Sequence, residues 1–160
     1  MGAVFSLSPG PFRRQVARIM ADVWSAEKRS EVMARIRGRD TKPERVVRAL
    51  LHRHGYRFTV NGPLNRSLPG RPDLVLPRYR TVVFVHGCFW HGHEHCGDFR
   101  IPSSRTEWWT AKITGNKVRD VRNEAALRAM GWHVVTIWAC AVKTRAAREW
   151  LEKRLGKLIG

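Results

Sequence analysis

Negative charge is scarce in this chain. Thirteen Asp and Glu stand against thirty Lys and Arg in 160 residues, a formal net charge of +17 with the histidines neutral. That deficit excludes an acidic solvating tail and points to a polyanionic partner, nucleic acid first. Long apolar runs are also missing: none approaches the roughly 18 residues that a membrane-spanning helix requires, so a spanning chain is excluded. Cysteine is scarce too, with only Cys88, Cys96 and Cys140. An odd count without a secretory signal argues against a disulfide framework and for a reduced, cytoplasmic setting. No internal repeat and no second domain are visible.

With 43% hydrophobic residues, the chain can bury roughly two-thirds of its unfolded surface in one core. Residues 1–19, rich in Gly, Pro, Ser and Arg without a period, read as a flexible extension, and residues 20–160 as the domain. A short amphipathic helix is predicted from Ser25 to about Arg37 on the spacing of Val32, Met33 and Ile36. A second starts at Thr41, where Thr41-Lys42-Pro43-Glu44 has the capping-box spacing, and runs to Gly55 with Val47, Leu50, Leu51 and His54 on one face. Tyr56 to Val60 reads as a strand, and Asn61 to Arg71, with its Gly and Pro, as a loop.

Leu74 to Leu76, a turn through Pro77 to Arg80, and Thr81 to Val85 form a predicted β-hairpin whose nearly all-apolar second strand belongs at the centre of its sheet. His86 to about Arg105 has no sustained period and reads as a long irregular insertion. Val118, Val121, Ala125 and Ala129 mark one face of a helix ending near Gly131, followed by a strand over Trp132 to Ala139. A final helix, Arg145 to Leu158, is expected to turn Ala147, Trp150, Leu151, Leu155 and Leu158 to the sheet. The fold class is therefore α/β, a mixed sheet flanked by helices.

Asp73, just after Pro72 and at the mouth of a strand, can aim a carboxylate into a cleft. A hard cation such as Mg2+ is served by one or two carboxylates, a backbone carbonyl and substrate phosphate, and it assists phosphodiester cleavage. The competing reading is a turn cap. His91 suits a general base, because imidazole ordinarily titrates near 6.5. His86, five residues earlier, reads as either a direct participant or a support. Glu44 reads first as a helix cap and second as a carboxylate offered to the site. Cys88, His93, Cys96 and the distant Cys140 have the donor types of a closed tetrahedral zinc site, with His95 competing for the place of His93. Phe89, Trp90, Trp108 and Trp109 are candidate wedges between base steps, Phe89 and Trp90 foremost because glycines flank their loop.

These residues resemble the very short patch repair endonucleases, the bacterial T:G mismatch nicking enzymes. The likeness runs from about Met20 to near the C-terminus through Arg39-Asp40-Thr41, Leu68-Pro69-Gly70-Arg71-Pro72-Asp73, His86-Gly87-Cys88-Phe89-Trp90-His91, Arg105-Thr106-Glu107-Trp108-Trp109 and Gly131-Trp132. It implies a restriction-endonuclease-like fold, a structural Zn2+, and Mg2+-dependent cleavage of one strand 5′ of the thymine of a T:G mismatch left by 5-methylcytosine deamination. By motif, Asp73 and the Val85 carbonyl would hold Mg2+, His91 would be the general base and Glu44 would contact water on the ion. Phe89, Trp90 and Trp109 would intercalate, with Met33 entering from the N-terminal helix, and Cys88, His93, Cys96 and Cys140 would bind zinc. Val85 departs from a threonine common there, but keeps the backbone carbonyl. The implied partners are double-stranded DNA, a mismatch-repair protein and a repair polymerase, with the enzyme a monomer. Two other readings fit charge and cysteines: a restriction-type nuclease on paired DNA, and a zinc-stabilised DNA-binding module without catalysis.

Overall fold

The computed structural model describes residues 38–160 together with Lys28 and Glu31, so the expected extension 1–19 and all of the expected helix over 25–37 but those two residues, Met33 included, lie outside the described residues. Helix α1 (Lys42–Arg53) begins where the capping signal places it. Thr41 is extended at the N-cap, and its hydroxyl oxygen accepts the Glu44 N–H at 3.5 Å. The return bond differs from the simple box. The Glu44 carboxylate takes the Asp40 N–H at 2.9 Å and the Thr41 hydroxyl at 2.7 Å. Asp40 is in a left-handed conformation (φ 56°), which turns its N–H toward that carboxylate.

The hairpin forms as read. Strand β1 (Leu74–Leu76) pairs antiparallel with β2 (Thr81–His86) in the register Leu74↔Val83 and Leu76↔Thr81, across a 3-10 turn at Pro77–Tyr79. Arg80 completes that turn in the left-handed region (φ 47°). Strand β3 (His133–Trp138) lies parallel to β2, with Val82 opposite Val134 and Val85 opposite Ile137. The order β1-β2-β3 puts β2 at the centre. A parallel pair needs a crossover, here supplied by helix α3 (Thr106–Ala129). That helix stops at Gly131, whose positive φ of 77° lets the Trp132 N–H return to the Leu127 carbonyl at 3.0 Å.

Strand alternation sorts the core into two layers. Leu74, Leu76, Val83, Val135 and Ile137 face α1 and the C-terminal helices, and Val75, Val82 and Val134 face Leu127 of α3. Both sheet faces are therefore covered, and removing a fully buried side chain such as Leu127 is expected to cost ~2–5 kcal/mol.

Four expectations need correction. Tyr56 to Val60 is not a strand: Thr59 alone pairs, through a bridge to Val75 with N–H···O distances of 2.9 and 3.1 Å. The three-residue β1 offers little edge, and Asn61 (φ 53°) bends the chain away. The Asn61 to Arg71 loop contains a short helix, α2 (Pro63–Ser67), started by Pro63. On α3 the buried face is Trp109, Ile113 and Leu127, whereas Val118 and Val121 are 63% and 66% exposed. The final helix is broken into α4 (Arg145–Glu152) and α5 (Leu155–Ile159), which turn Leu151, Leu155 and Ile159 inward. Trp150 is 54% exposed, with the Arg154 guanidinium 4.0 Å from its ring centroid.

Candidate active site and metal centre

The hairpin, the helix cap and the crossover converge on one cleft of about 530 Å³. Thr41 and Glu44 come from the start of α1, Asp73 from the mouth of β1, and Val85 and His86 from the end of β2; Trp90 and His91 follow in the loop, and Asp120 projects from α3. The sequence-predicted Asp73, Glu44, Val85, His86 and His91 are thus brought together. Glu44 caps the helix and also lines the cleft, its carboxylate fixed by the Asp40 N–H and the Thr41 hydroxyl.

Asp73 Oδ2 accepts the Val85 N–H at 2.7 Å, so the carboxylate is tied across the hairpin to the residue whose carbonyl the resemblance nominates as a ligand. Burial pushes its pKa up to about 6; the Val85 bond opposes that, nearby Glu44 adds to it, and His91 and Arg48 oppose it. A carboxyl held in this way gains from a cation beside it. Arg48 is in turn paired with Asp40 on the rim.

His91 is held more firmly than its sequence context suggests. Its Nδ1 lies 2.6 Å from Asp120 Oδ2, which leaves Nε2 as the ring atom free to serve the reaction. Asp120 is the functional residue that sequence reading missed. Its signal lay in a polar position, one helical turn after Asn116, on the face of α3 turned to the site. His86 stacks on His91 with ring centroids 3.8 Å apart and planes within 7°. Burial first, and His91 second, lower the His86 pKa to about 4. Near neutral pH, His86 is therefore an uncharged neighbour that does not compete with His91 for a proton.

The second cluster lies beside the first. The side-chain donors of Cys88, His93, Cys96 and Cys140 lie within 4.8 Å of one another, and the exposed His95 is not among them. Cys88, His93 and Cys96 sit on successive tight turns of the 87–105 loop, with the His93 N–H on Cys88 O at 2.9 Å and the Cys96 N–H on His93 O at 3.3 Å. Cys140 comes from the 3-10 turn after β3. His93 stacks on Trp138 at 4.2 Å, which orients its ring. Burial and the neighbouring thiols push the Cys88 pKa up to about 12. Three crowded thiols and one imidazole are a soft donor set that a cation binding thiolate would satisfy. Gly92 lets this loop lie against α3, since a Cβ there would come 2.9 Å from Ile113 Cγ2 and its φ is +63°.

Among the aromatics, Phe89 and Trp90 are half-buried, with centroids 5.1 Å apart, and both rest on Trp109, at 5.2 and 6.0 Å. Trp109 is 7% exposed and forms the base of the group, while Trp108 is 47% exposed under Arg105 and Lys112. Asn116 Nδ2 donates to the Trp90 carbonyl at 2.7 Å. Adjacent residues Trp90 and His91 are therefore held by Asn116 and Asp120, one turn apart on α3.

The family model described as DNA mismatch endonuclease Vsr matches residues 21–97. The type II nicking enzyme V.XorIIP of Xanthomonas oryzae pv. oryzae is 46% identical over 140 residues, covering 88% of this chain and 98% of that protein. The type II nicking enzyme V.NmeAIP of Neisseria meningitidis is 42% identical over 140 residues, covering 88% and 95%. The DNA mismatch endonuclease Vsr of Escherichia coli K12 is 46% identical over 126 residues, covering 79% and 78%.

Proposed function

Since this chain belongs to the DNA mismatch endonuclease Vsr family, we propose that the cleft cuts one strand of a duplex 5′ of the thymine in a T:G mismatch, the product of 5-methylcytosine deamination. The chain is a DNA nicking endonuclease, a hydrolase of phosphodiester bonds. The observation that carries the assignment of roles is the convergence of Asp73, Glu44, Val85, His86 and His91 on one cleft, with His91 buttressed by Asp120. A restriction-endonuclease-like fold is part of the proposal, and the three-stranded mixed sheet with its flanking helices is consistent with it.

In this reading Asp73 and the Val85 carbonyl, both oxygen donors, would hold Mg2+, and Glu44 would contact water on the ion. The ion supplies polarisation of the phosphoryl group and charge neutralisation at the leaving oxygen. His91 Nε2 takes the proton of the attacking water, and the Asp120 carboxylate steadies the imidazolium that results. The uncharged His86 ring, flat against His91, keeps that ring in plane and donates its N–H to a phosphate oxygen. Phe89 and Trp90 enter the base stack and Trp109 supports them from below, at an unstacking cost of a few kcal/mol that a mispaired step reduces. Met33 completes the wedge from the N-terminal segment. Zn2+ at Cys88, His93, Cys96 and Cys140 fixes the loop that carries both the wedge and His91. The positive charge contacts phosphates, with log K falling by about 0.9 per phosphate neutralised for each unit of log salt. The nick then leaves a 3′ end for a repair polymerase.

Strand-resolved cleavage of T:G and T:A duplexes of one sequence, with Mg2+ and with chelator, tests the proposal. The expected result is a single nick on the thymine strand of the mismatch, dependent on the cation. Equal cutting of both duplexes would replace mismatch repair with restriction, and no cutting in any divalent metal would leave a binding module.

A further inference from the structure

Asn65 is among the few fully buried polar side chains of the described residues, 2% exposed, and it belongs to none of the motifs that carry the chemistry. It sits in the middle of α2 and its amide is saturated. Oδ1 accepts the Thr59 hydroxyl at 2.7 Å and the Gly62 N–H at 3.3 Å. Those two donors fix which end of the amide is nitrogen. Nδ2 then donates to the Thr59 carbonyl at 3.1 Å and to the carbonyls of Pro72 and Asp73 at 3.0 and 3.4 Å.

The last two bonds fall on the peptide that carries the cleft carboxylate. β1 is an edge strand of three residues, and beyond it, among the described residues, only Thr59 supplies a ladder partner, to Val75. The carbonyls of Pro72 and Asp73, just before the strand, lack a strand on that side. A carbonyl left unpaired when buried costs ~1–3 kcal/mol, enough to rotate the peptide toward water. Asn65 stands in for the missing strand. With the backbone held there and Oδ2 held by the Val85 N–H at 2.7 Å, the Asp73 carboxylate has both ends anchored.

We propose that Asn65 is a positioning residue for the nicking reaction, fixing the Pro72-Asp73 backbone so that the Asp73 carboxylate faces the cleft. The inference rests on the functional reading of Asp73 given above. It extends that reading to the 59–71 segment, where Thr59, Gly62 and Asn65 work as one clamp.

The test compares Asn65→Asp, which keeps the acceptor oxygen and the volume but replaces the donor nitrogen with a second oxygen, and Asn65→Ala with Leu64→Ala. Leu64 packs α2 against the core and makes no bond to Pro72 or Asp73. Each full-length variant is measured for melting temperature, for mismatched-duplex binding in chelator, for the single-turnover nicking rate with Mg2+, and for hydrogen exchange at the Val85 amide. Positioning predicts a rate loss of about ten- to a hundredfold in both Asn65 variants, the penalty of a misplaced reacting group, with duplex affinity preserved and Val85 protection lost. Leu64→Ala should lower the melting temperature yet keep its rate within about twofold, since ground-state stability alone does not enter the chemical step. The proposal is overturned if the Asn65 variants nick at the unaltered rate, or if Val85 exchange and rate change alike in Leu64→Ala. Should the unaltered chain not nick at all, the functional reading fails, while Val85 exchange still decides whether Asn65 holds Asp73.

Discussion

Asp120 Oδ2 meets His91 Nδ1 at 2.6 Å, joining the middle of the crossover helix to the loop that follows the central strand. The bond sets the imidazole tautomer and its plane. Asp120→Asn offers an amide in place of the carboxylate and removes the charge that would stabilise an imidazolium, so the single-turnover nicking rate should fall about 10²- to 10⁴-fold, as for comparable dyads. Duplex binding in chelator should not change. A rate within a few-fold of the unaltered enzyme would remove His91 from the role of base.

Asp73→Ala should abolish Mg2+-dependent nicking of a T:G duplex and leave duplex binding largely intact; unchanged cleavage would reject the carboxylate as a ligand.

A second consequence concerns stability. The Asp73 pKa, raised from 3.8 to about 6 by burial, lies above its value in the unfolded chain, so its contribution is fully present below pH ~4 and is lost as pH rises through about 6. The ionised group strains the cation-free protein by up to about 3 kcal/mol. Asp73→Asn should therefore raise the melting temperature in chelator at pH 7.5, and that gain should vanish near pH 4. A melting temperature unaltered at both pH values would show the carboxylate to be well solvated.

Trp90→Ala should reduce discrimination between T:G and T:A duplexes more than it reduces general affinity, because the ring stands at the cleft and its backbone is secured by Asn116. Equal losses on the two duplexes, measured by competition binding, would count against a wedge.

Zinc should co-purify with the chain in stoichiometric amount, and Cys96→Ala or Cys140→Ala should lose it together with several degrees of melting temperature. Elemental analysis alongside thermal melts provides the check; a metal-free chain with the melting temperature of the native protein would leave the thiol cluster without a cation.

What the sequence disclosed depended on whether local signals agreed with burial. Thr41-Lys42-Pro43-Glu44 specified its helix because cap chemistry is local, and Pro77 with Arg80 specified the hairpin for the same reason. Cys88, His93, Cys96 and Cys140 were legible because soft donors have few other uses together. The faces of α3 were not. Asn116 and Asp120 look inward to serve the site while Val118 and Val121 look outward, so hydrophobic periodicity named the wrong side. Asp120 was lost with that misreading. Trp150 misled for a related reason: its ring is covered by Arg154 rather than by the core. Asn65 carries no motif, and its importance arises only when the chain folds back to set it beside Pro72.

The thiol cluster draws one ligand group from just past the end of β2 and its last member from just past the end of the neighbouring β3. Two strands running side by side in the same direction can slip past one another when only backbone bonds oppose the slide, and a slip of one residue would turn every side chain to the opposite face. An ion coordinated at their shared end would act as a rivet. It would make the alignment of Val85 with Ile137, and with it the distance from the Asp73 anchor to the imidazole pair, a matter of bond lengths.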